Sequence, residues 1–232
     1  MAPPGAGPGR AAGPGVVSGE NGTVRVQPVT PAAVVDHVVA LVTTRPAGER
    51  LRVAVDGAPP AAPGELADAL VEPLRRAGRP VVRVSAEDFL RPASVRLEHG
   101  RHDPDAFLDE WLDSSALARE VVDPLGPDGS GRYLPSLWDP VRDRATRAPA
   151  VDAPAGAVLV LDGSLLLGRW LDLDLTVHLA LREPTLQRRT PPEDRWTLPA
   201  FARYAEEVRP EAVADVVVRA DDPRRPALVL PG

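Results

Sequence analysis

The sequence predicts an α/β domain in which a mostly parallel sheet is covered by helices on both faces. Three observations carry this. Short apolar, β-branched runs alternate along the chain with segments of helical periodicity. Two of those runs, Leu51-Arg52-Val53-Ala54-Val55 and Ala157-Val158-Leu159-Val160-Leu161, each close on Asp-Gly, the mark of a strand entering a tight turn. The apolar share, 44% of 232 residues, is enough for one sizeable core in one domain.

Taken in order, residues 1–22 are mostly Gly, Pro and Ala. Such a stretch cannot bury enough surface to offset its ordering entropy, so a disordered tail is expected, with the folded domain over 30–232. From Pro31, Val34, Val35, Val38, Val39, Leu41 and Val42 recur at helical spacing, which predicts a helix stopping near Pro46. The first strand, from Leu51, runs into Asp56-Gly57. A Pro-rich loop from Ala58 to Pro63 leads to a helix with Leu66, Leu70, Val71 and Leu74 on one face, ended by Gly78. Further strands are predicted from Val81 to Val84, from Ala157 to Leu161, from Leu175 to Leu181 with Thr176 and His178 on one face, and over Val216-Val217-Val218. Helical stretches are expected at about 104–121 and 197–208. No internal repeat is visible.

Composition excludes several classes. With 27 basic and 33 acidic residues the net charge is -6, which gives no electrostatic footprint for nucleic acid or an anionic membrane. Cysteine is absent, so disulfides, thiolate zinc sites and cysteine nucleophiles are excluded. No apolar run approaches the roughly 20 residues that span a bilayer, and the opening MAPPGAGPGR has no apolar signal core, so a cytoplasmic protein is expected. Every basic residue is Arg, and a mechanism that needs a lysine ammonium cannot run on this chain. His37 and His178 have no partner at metal spacing and read as structural.

The strand, loop and helix after Leu51 occupy the position of a phosphate-binding loop, G-x-x-x-x-G-K-[ST]. With Gly57 as first glycine, Ala62, Pro63 and Gly64 fall on the second glycine, the Lys and the hydroxyl residue; with Gly64 as second glycine, Glu65 and Leu66 follow. Both registers lack the cation, whose charge-assisted bond to phosphate is worth roughly 1.5–3 kcal/mol. Pro59, Pro60 and Pro63 bring no N–H to a cradle, and Ala62 adds a Cβ where glycine allows positive φ. Pro63 instead suits the first turn of a helix, and Glu65 its electropositive end.

Several segments then carry a resemblance. The V-D-G after the first strand and L-A-D-A-L in the helix, Ser85-Ala86-Glu87-Asp88-Phe89-Leu90-Arg91-Pro92, Asp103-Pro104-Asp105-Ala106-Phe107, Asp123-Pro124-Leu125-Gly126-Pro127, Arg132-Tyr133, Trp138-Asp139 and Ala214-Asp215-Val216-Val217-Val218 stand in an order and spacing similar to the uridine kinase-like P-loop nucleoside kinases of actinobacterial type. The resemblance covers the chain from about residue 30 and departs at the phosphate loop, which is degenerate. It implies a P-loop-kinase-like three-layer α/β sandwich with a mostly parallel sheet.

It also implies roles. Glu87, with Asp88 beside it, falls where the family places a base toward a nucleoside hydroxyl; as a plain sequence feature it is a loop acid after a strand. His102 and Asp103 fall on a ribose-holding pair, in reversed order, while Asp103 before Pro104 is equally a helix cap. Phe89 is a candidate to stack on a base or a core residue, and Arg91 an anion contact or a solvated side chain. Asp162 matches an acid that holds Mg²⁺ through water, or ends a strand. Arg182, Arg188 and Arg189, followed by Arg195, resemble a lid that closes on phosphates, or form a solvated helix face. Three readings follow: a pseudo-kinase that binds a nucleoside or nucleotide and needs no cofactor; an active kinase using Mg-ATP with arginine-based phosphate recognition; and a protein-interaction module whose partner the sequence does not specify.

Overall fold

The computed structural model describes residues 25–230; the tail expected over 1–22 lies outside them. Seven strands form the main sheet: β1 (Arg25–Pro28), β2 (Leu51–Gly57), β3 (Val81–Ser85), β4 (Val158–Gly163), β5 (Leu175–Ala180), β6 (Val216–Arg219) and β7 (Ala227–Leu230). Their spatial order is β1-β7-β6-β5-β2-β4-β3. The five from β6 to β3 run parallel, and β7 is antiparallel to both of its neighbours. The helices used below are α1 (Pro31–Thr43), α2 (Pro63–Arg76), α3 (Pro104–Asp109), α4 (Ser114–Leu117), α5 (Glu183–Arg189) and α6 (Leu198–Glu207).

Side-chain alternation along the strands feeds two apolar layers. Val53, Val55, Val158, Val160, Val177 and Leu179 pack against Val34 and Val38 of α1 and Leu70 and Leu74 of α2. On the opposite face Ala54, Val82, Val84, Leu159 and Leu161 meet Phe89, Leu117, Val121 and Leu125. The result is a three-layer α/β sandwich. Local chemistry fixes the helix starts. Thr30 Oγ1 accepts the Ala33 N–H at 3.2 Å ahead of Pro31, and α2 carries Glu65 in its first turn with Arg75 and Arg76 in its last, each complementing the helix dipole.

Two expectations are corrected. The helix expected over 104–121 is broken: α3 ends at Asp109, Leu112 bridges to Leu90, and Asp113 caps a new start by accepting the Ala116 N–H at 2.9 Å. The chain then leaves α4 through a π-helical turn, Ala118–Val122. The folded domain starts before residue 30, because β1 joins the sheet edge from Arg25. Its four residues are all exposed, so they lack the alternation that reveals a half-buried strand. Residues 132–152 carry two small antiparallel ladders, Arg132–Tyr133 with Val151–Asp152 and Trp138–Asp139 with Arg144–Ala145.

Two arginines tie the amino ends of the strands. Arg79 is 2% exposed and donates to the carbonyls of Gly156 (3.0 Å), Glu49 (2.6 Å) and Pro46 (3.3 Å). Arg52 reaches Asp174 through Nε (2.9 Å) and Nη2 (3.0 Å) and Asp172 through Nη1 (2.8 Å). Among the described residues no helix is long and apolar enough to cross a membrane.

Candidate functional site

The carboxyl ends of β2, β4 and β3 bring the predicted residues to one edge of the sheet, the usual place for a ligand in an open α/β fold. Gly57 ends β2 tightly: a Cβ there would lie 3.0 Å from Leu179 Cβ. Pro59–Ala61 then form a single 3₁₀ turn, in which the Ala61 N–H donates to Ala58 O at 2.8 Å and the Ala62 N–H to Pro59 O at 2.9 Å. Ala62 is left-handed, φ 56° and ψ 56°, and Pro63 opens α2 directly after it. The backbone therefore makes the positive-φ step that a phosphate loop makes with glycine, but with a Cβ attached. Two of the amides that could face an anion are committed to the turn itself.

Asp162, at the end of β4, is not a free carboxylate. Arg83 of β3 reaches across, and its Nη1 donates to Asp162 Oδ1 at 2.6 Å and to Val84 O at 2.8 Å, while its Nε pairs with Asp68 of α2 at 2.8 Å. Gly64 sits over this pair, and a Cβ on it would stand 3.2 Å from Asp162 Oδ2. A guanidinium thus stands against the Asp162 carboxylate. Sequence reasoning missed Arg83. Alternation between buried Val82 and Val84 puts it on the α2 side, but its partner Asp162 lies 79 residues away.

Of the two candidate bases, Glu87 is exposed and Asp88 is half-buried beside this pair. Burial pushes the Asp88 carboxyl above the ordinary carboxylate range. The Ser136 hydroxyl, donating at 3.3 Å, opposes this, and the charges of Asp162 and Asp139 add to it. Of the two, Asp88 is the one whose carboxyl is held above its ordinary value by burial.

The remaining candidates divide. Phe89 is fully buried among the apolar side chains under the sheet, so its ring cannot stack on a ligand; the core alternative is the one found. Asp103 caps α3, accepting the Ala106 N–H at 2.9 Å, and His102 is exposed with its ring 5.4 Å from that of Trp196. The backbone of Arg91 is pinned, its N–H donating to Trp111 O at 2.9 Å, and its guanidinium makes no hydrogen bond among the described residues. Arg182 pairs with Asp221 at 3.0 Å, and Arg189 donates to the carbonyls of Ala220 (3.0 Å) and Asp221 (2.6 Å). Both therefore hold the turn after β6. Arg188 is exposed, with only a 3.5 Å contact to Thr185 Oγ1.

An aromatic wall beside Arg91 was not foreseen. Phe107 packs edge-on against Trp111 (5.1 Å), Trp196 (5.5 Å) and Phe201 (5.9 Å), and Arg96 lies over Trp111 at 5.0 Å. The four-residue spacing of Phe107 and Trp111 hints at a shared face; Trp196 arrives from another part of the chain. The Trp111 indole N–H is buried without a partner among the described residues.

No protein-family model and no curated protein matches this sequence. Solved structures do match it in shape. A possible uridine kinase from Bacillus stearothermophilus superposes with a TM-score of 0.65 at 18% identity, covering 80% of this chain and 97% of that one. A candidate fructose transport system kinase from Silicibacter sp. TM1040 superposes with a TM-score of 0.55 at 24% identity, covering 78% of this chain and 90% of that one. The sandwich of parallel strands described above is the α/β fold of the P-loop kinases.

Proposed function

We propose that this protein is a nucleoside kinase-like binding protein that has lost ATP-dependent phosphoryl transfer. The observation that carries the reading is the turn at Pro59–Ala62. Its Ala61 and Ala62 amides are spent on its own carbonyls, it has no lysine, and a proline opens the helix behind it. Anion binding at such a loop depends on unspent N–H groups and a cation. The Arg83–Asp162 pair supports the same reading, because it fills the position where a carboxylate would face Mg²⁺.

The binding half of the proposal draws on the edge between Asp88, Arg91 and the aromatic wall. The half-buried rings of Phe107 and Trp196 are the candidates to present a π-face to a nucleobase, Trp111 being covered by Arg96. Arg91 and Asp88 bring donor and acceptor groups to ribose hydroxyls. A nucleoside fits these groups better than a triphosphate does.

The second reading, an active kinase, draws on one observation: Asp88 has the raised carboxyl a general base needs, next to Asp162. Arg188 would then supply charge to the phosphates. Calorimetric titration of the protein with uridine and, separately, with Mg-ATP tests the two, followed by an assay for uridine monophosphate. Uridine binding with no heat from Mg-ATP and no product is expected. Formation of the monophosphate would overturn the proposal, and silence toward uridine would remove its binding half.

A further inference from the structure

On the other side of β2 from Asp162, the ends of β2 and β5 open into a separate cleft of about 580 Å³ between α5 and α6. Its walls are mostly apolar, with Leu165, Leu179, Leu186 and Phe201 among them. Its floor is polar and buried. Asp56, fully buried at the end of β2, accepts from His178 Nδ1 at 2.7 Å, the Tyr204 hydroxyl at 3.0 Å and the Leu166 N–H at 2.9 Å. The Tyr204 oxygen in turn accepts the Leu167 N–H at 3.0 Å. Burial and the Asp56 charge push the Tyr204 hydroxyl far above its ordinary value, so it remains a donor.

This network leaves one group over. Because His178 Nδ1 faces Asp56, its other ring nitrogen, Nε2, is the one left over, an acceptor in the tautomer that carries its proton on Nδ1. His178 is 8% exposed, lines the cleft, and makes no hydrogen bond through Nε2 among the described residues. Two further features mark the place. Leu165 (φ 60°) and Arg209 (φ 51°), both lining the cleft, hold left-handed conformations that cost side-chain-bearing residues energy, and such strain collects at ligand sites. The rim carries the carboxylates of Glu183, Glu206 and Glu211 against the single guanidinium of Arg209, with Arg219 3.9 Å from Glu211.

We propose that the cleft binds a small primary amine with an apolar body. The ammonium donates to His178 Nε2 over the buried Asp56 charge, and the body lies against Leu179, Leu186 and Phe201. The acidic rim attracts a cation and repels an anion. The site is independent of the proposed nucleoside edge and holds or fails without it.

Benzylamine, benzyl alcohol and benzoate serve as matched probes, titrated into the full chain by calorimetry and by following the ring proton of His178. Benzylamine should bind saturably, benzyl alcohol about tenfold more weakly, and benzoate not at all. His178→Phe should weaken benzylamine by about tenfold or more. Leu186→Trp fills the cleft from α5 without touching the Asp56 network; it should abolish binding with the fold intact, and it carries the test if His178→Phe does not fold. Equal binding of benzoate or of the alcohol, no saturation by benzylamine, or undiminished binding to Leu186→Trp would each overturn the proposal.

Discussion

At Ala62 a side chain stands where the backbone favours none. A left-handed conformation costs an alanine about 1–2 kcal/mol, while a glycine there would add about 0.4–1 kcal/mol of unfolded-state freedom. Ala62→Gly should therefore stabilise the protein, by roughly 0.5–1 kcal/mol in urea denaturation; a loss of stability would show that the turn is unstrained. Asp88 yields a pH dependence. Folding holds its carboxyl above the ordinary value, so its contribution is fully present below about pH 4 and is lost as pH rises through the folded value. Compared by denaturation at pH 3 and pH 7, Asp88→Asn should gain on the parent protein as pH rises, and a gap that does not change with pH would contradict the burial argument. At this scale the sequence was only partly readable. Asp103 before Pro104 is local chemistry, and the cap it suggested is present. Whether Phe89 met a base or the core depended on strands and helices that assemble around it from distant segments, and the core won.

The elements around the phosphate-loop position act as a unit. The motif comparison exposed the loop's missing residues, since each lies within eight positions of Gly57. Arg83 stayed hidden because its pairing joins two strands that are neighbours only in the folded sheet. This shapes what rebuilding the loop can achieve. The combination Ala62→Gly, Pro63→Lys and Gly64→Thr restores the motif and sets the new Thr close to Asp162. With Arg83 still bound to that carboxylate, the triple variant should show little Mg-ATP binding by calorimetry. Adding Arg83→Gln should raise the affinity by at least about tenfold, the equivalent of one charge-assisted contact. If the triple variant alone binds as tightly as the quadruple, Arg83 does not obstruct the site. The helical stretch 104–121 shows the limit of periodicity at this scale: apolar spacing continued across residues 110–113, while a cap at Asp113 restarted the helix.

For the whole molecule, the parallel core was legible because its strands are buried on both faces and read as unbroken apolar runs. The edge strand β1 and its neighbour β7 were not, being short and in part exposed. What joins the layers at the amino end is equally invisible in one dimension. Arg79 gathers carbonyls from the turn before β2 and the turn before β4. Arg79→Met would strip these carbonyls of their donor and should cost about 3 kcal/mol or more in chemical denaturation. Arg79→Lys should recover little of this, since one ammonium lacks the fork that spans several acceptors; full recovery would show that charge alone suffices.

The guanidinium of Arg83 is a counterion that cannot diffuse away. Proteins that neutralise a strand-end acid with a dissociable metal couple their integrity to the supply of that metal, and chelators reach them through it. Here the neutralising charge is covalently part of the sheet, so the acidic end of β4 is held the same way whether divalent ions are plentiful or scarce.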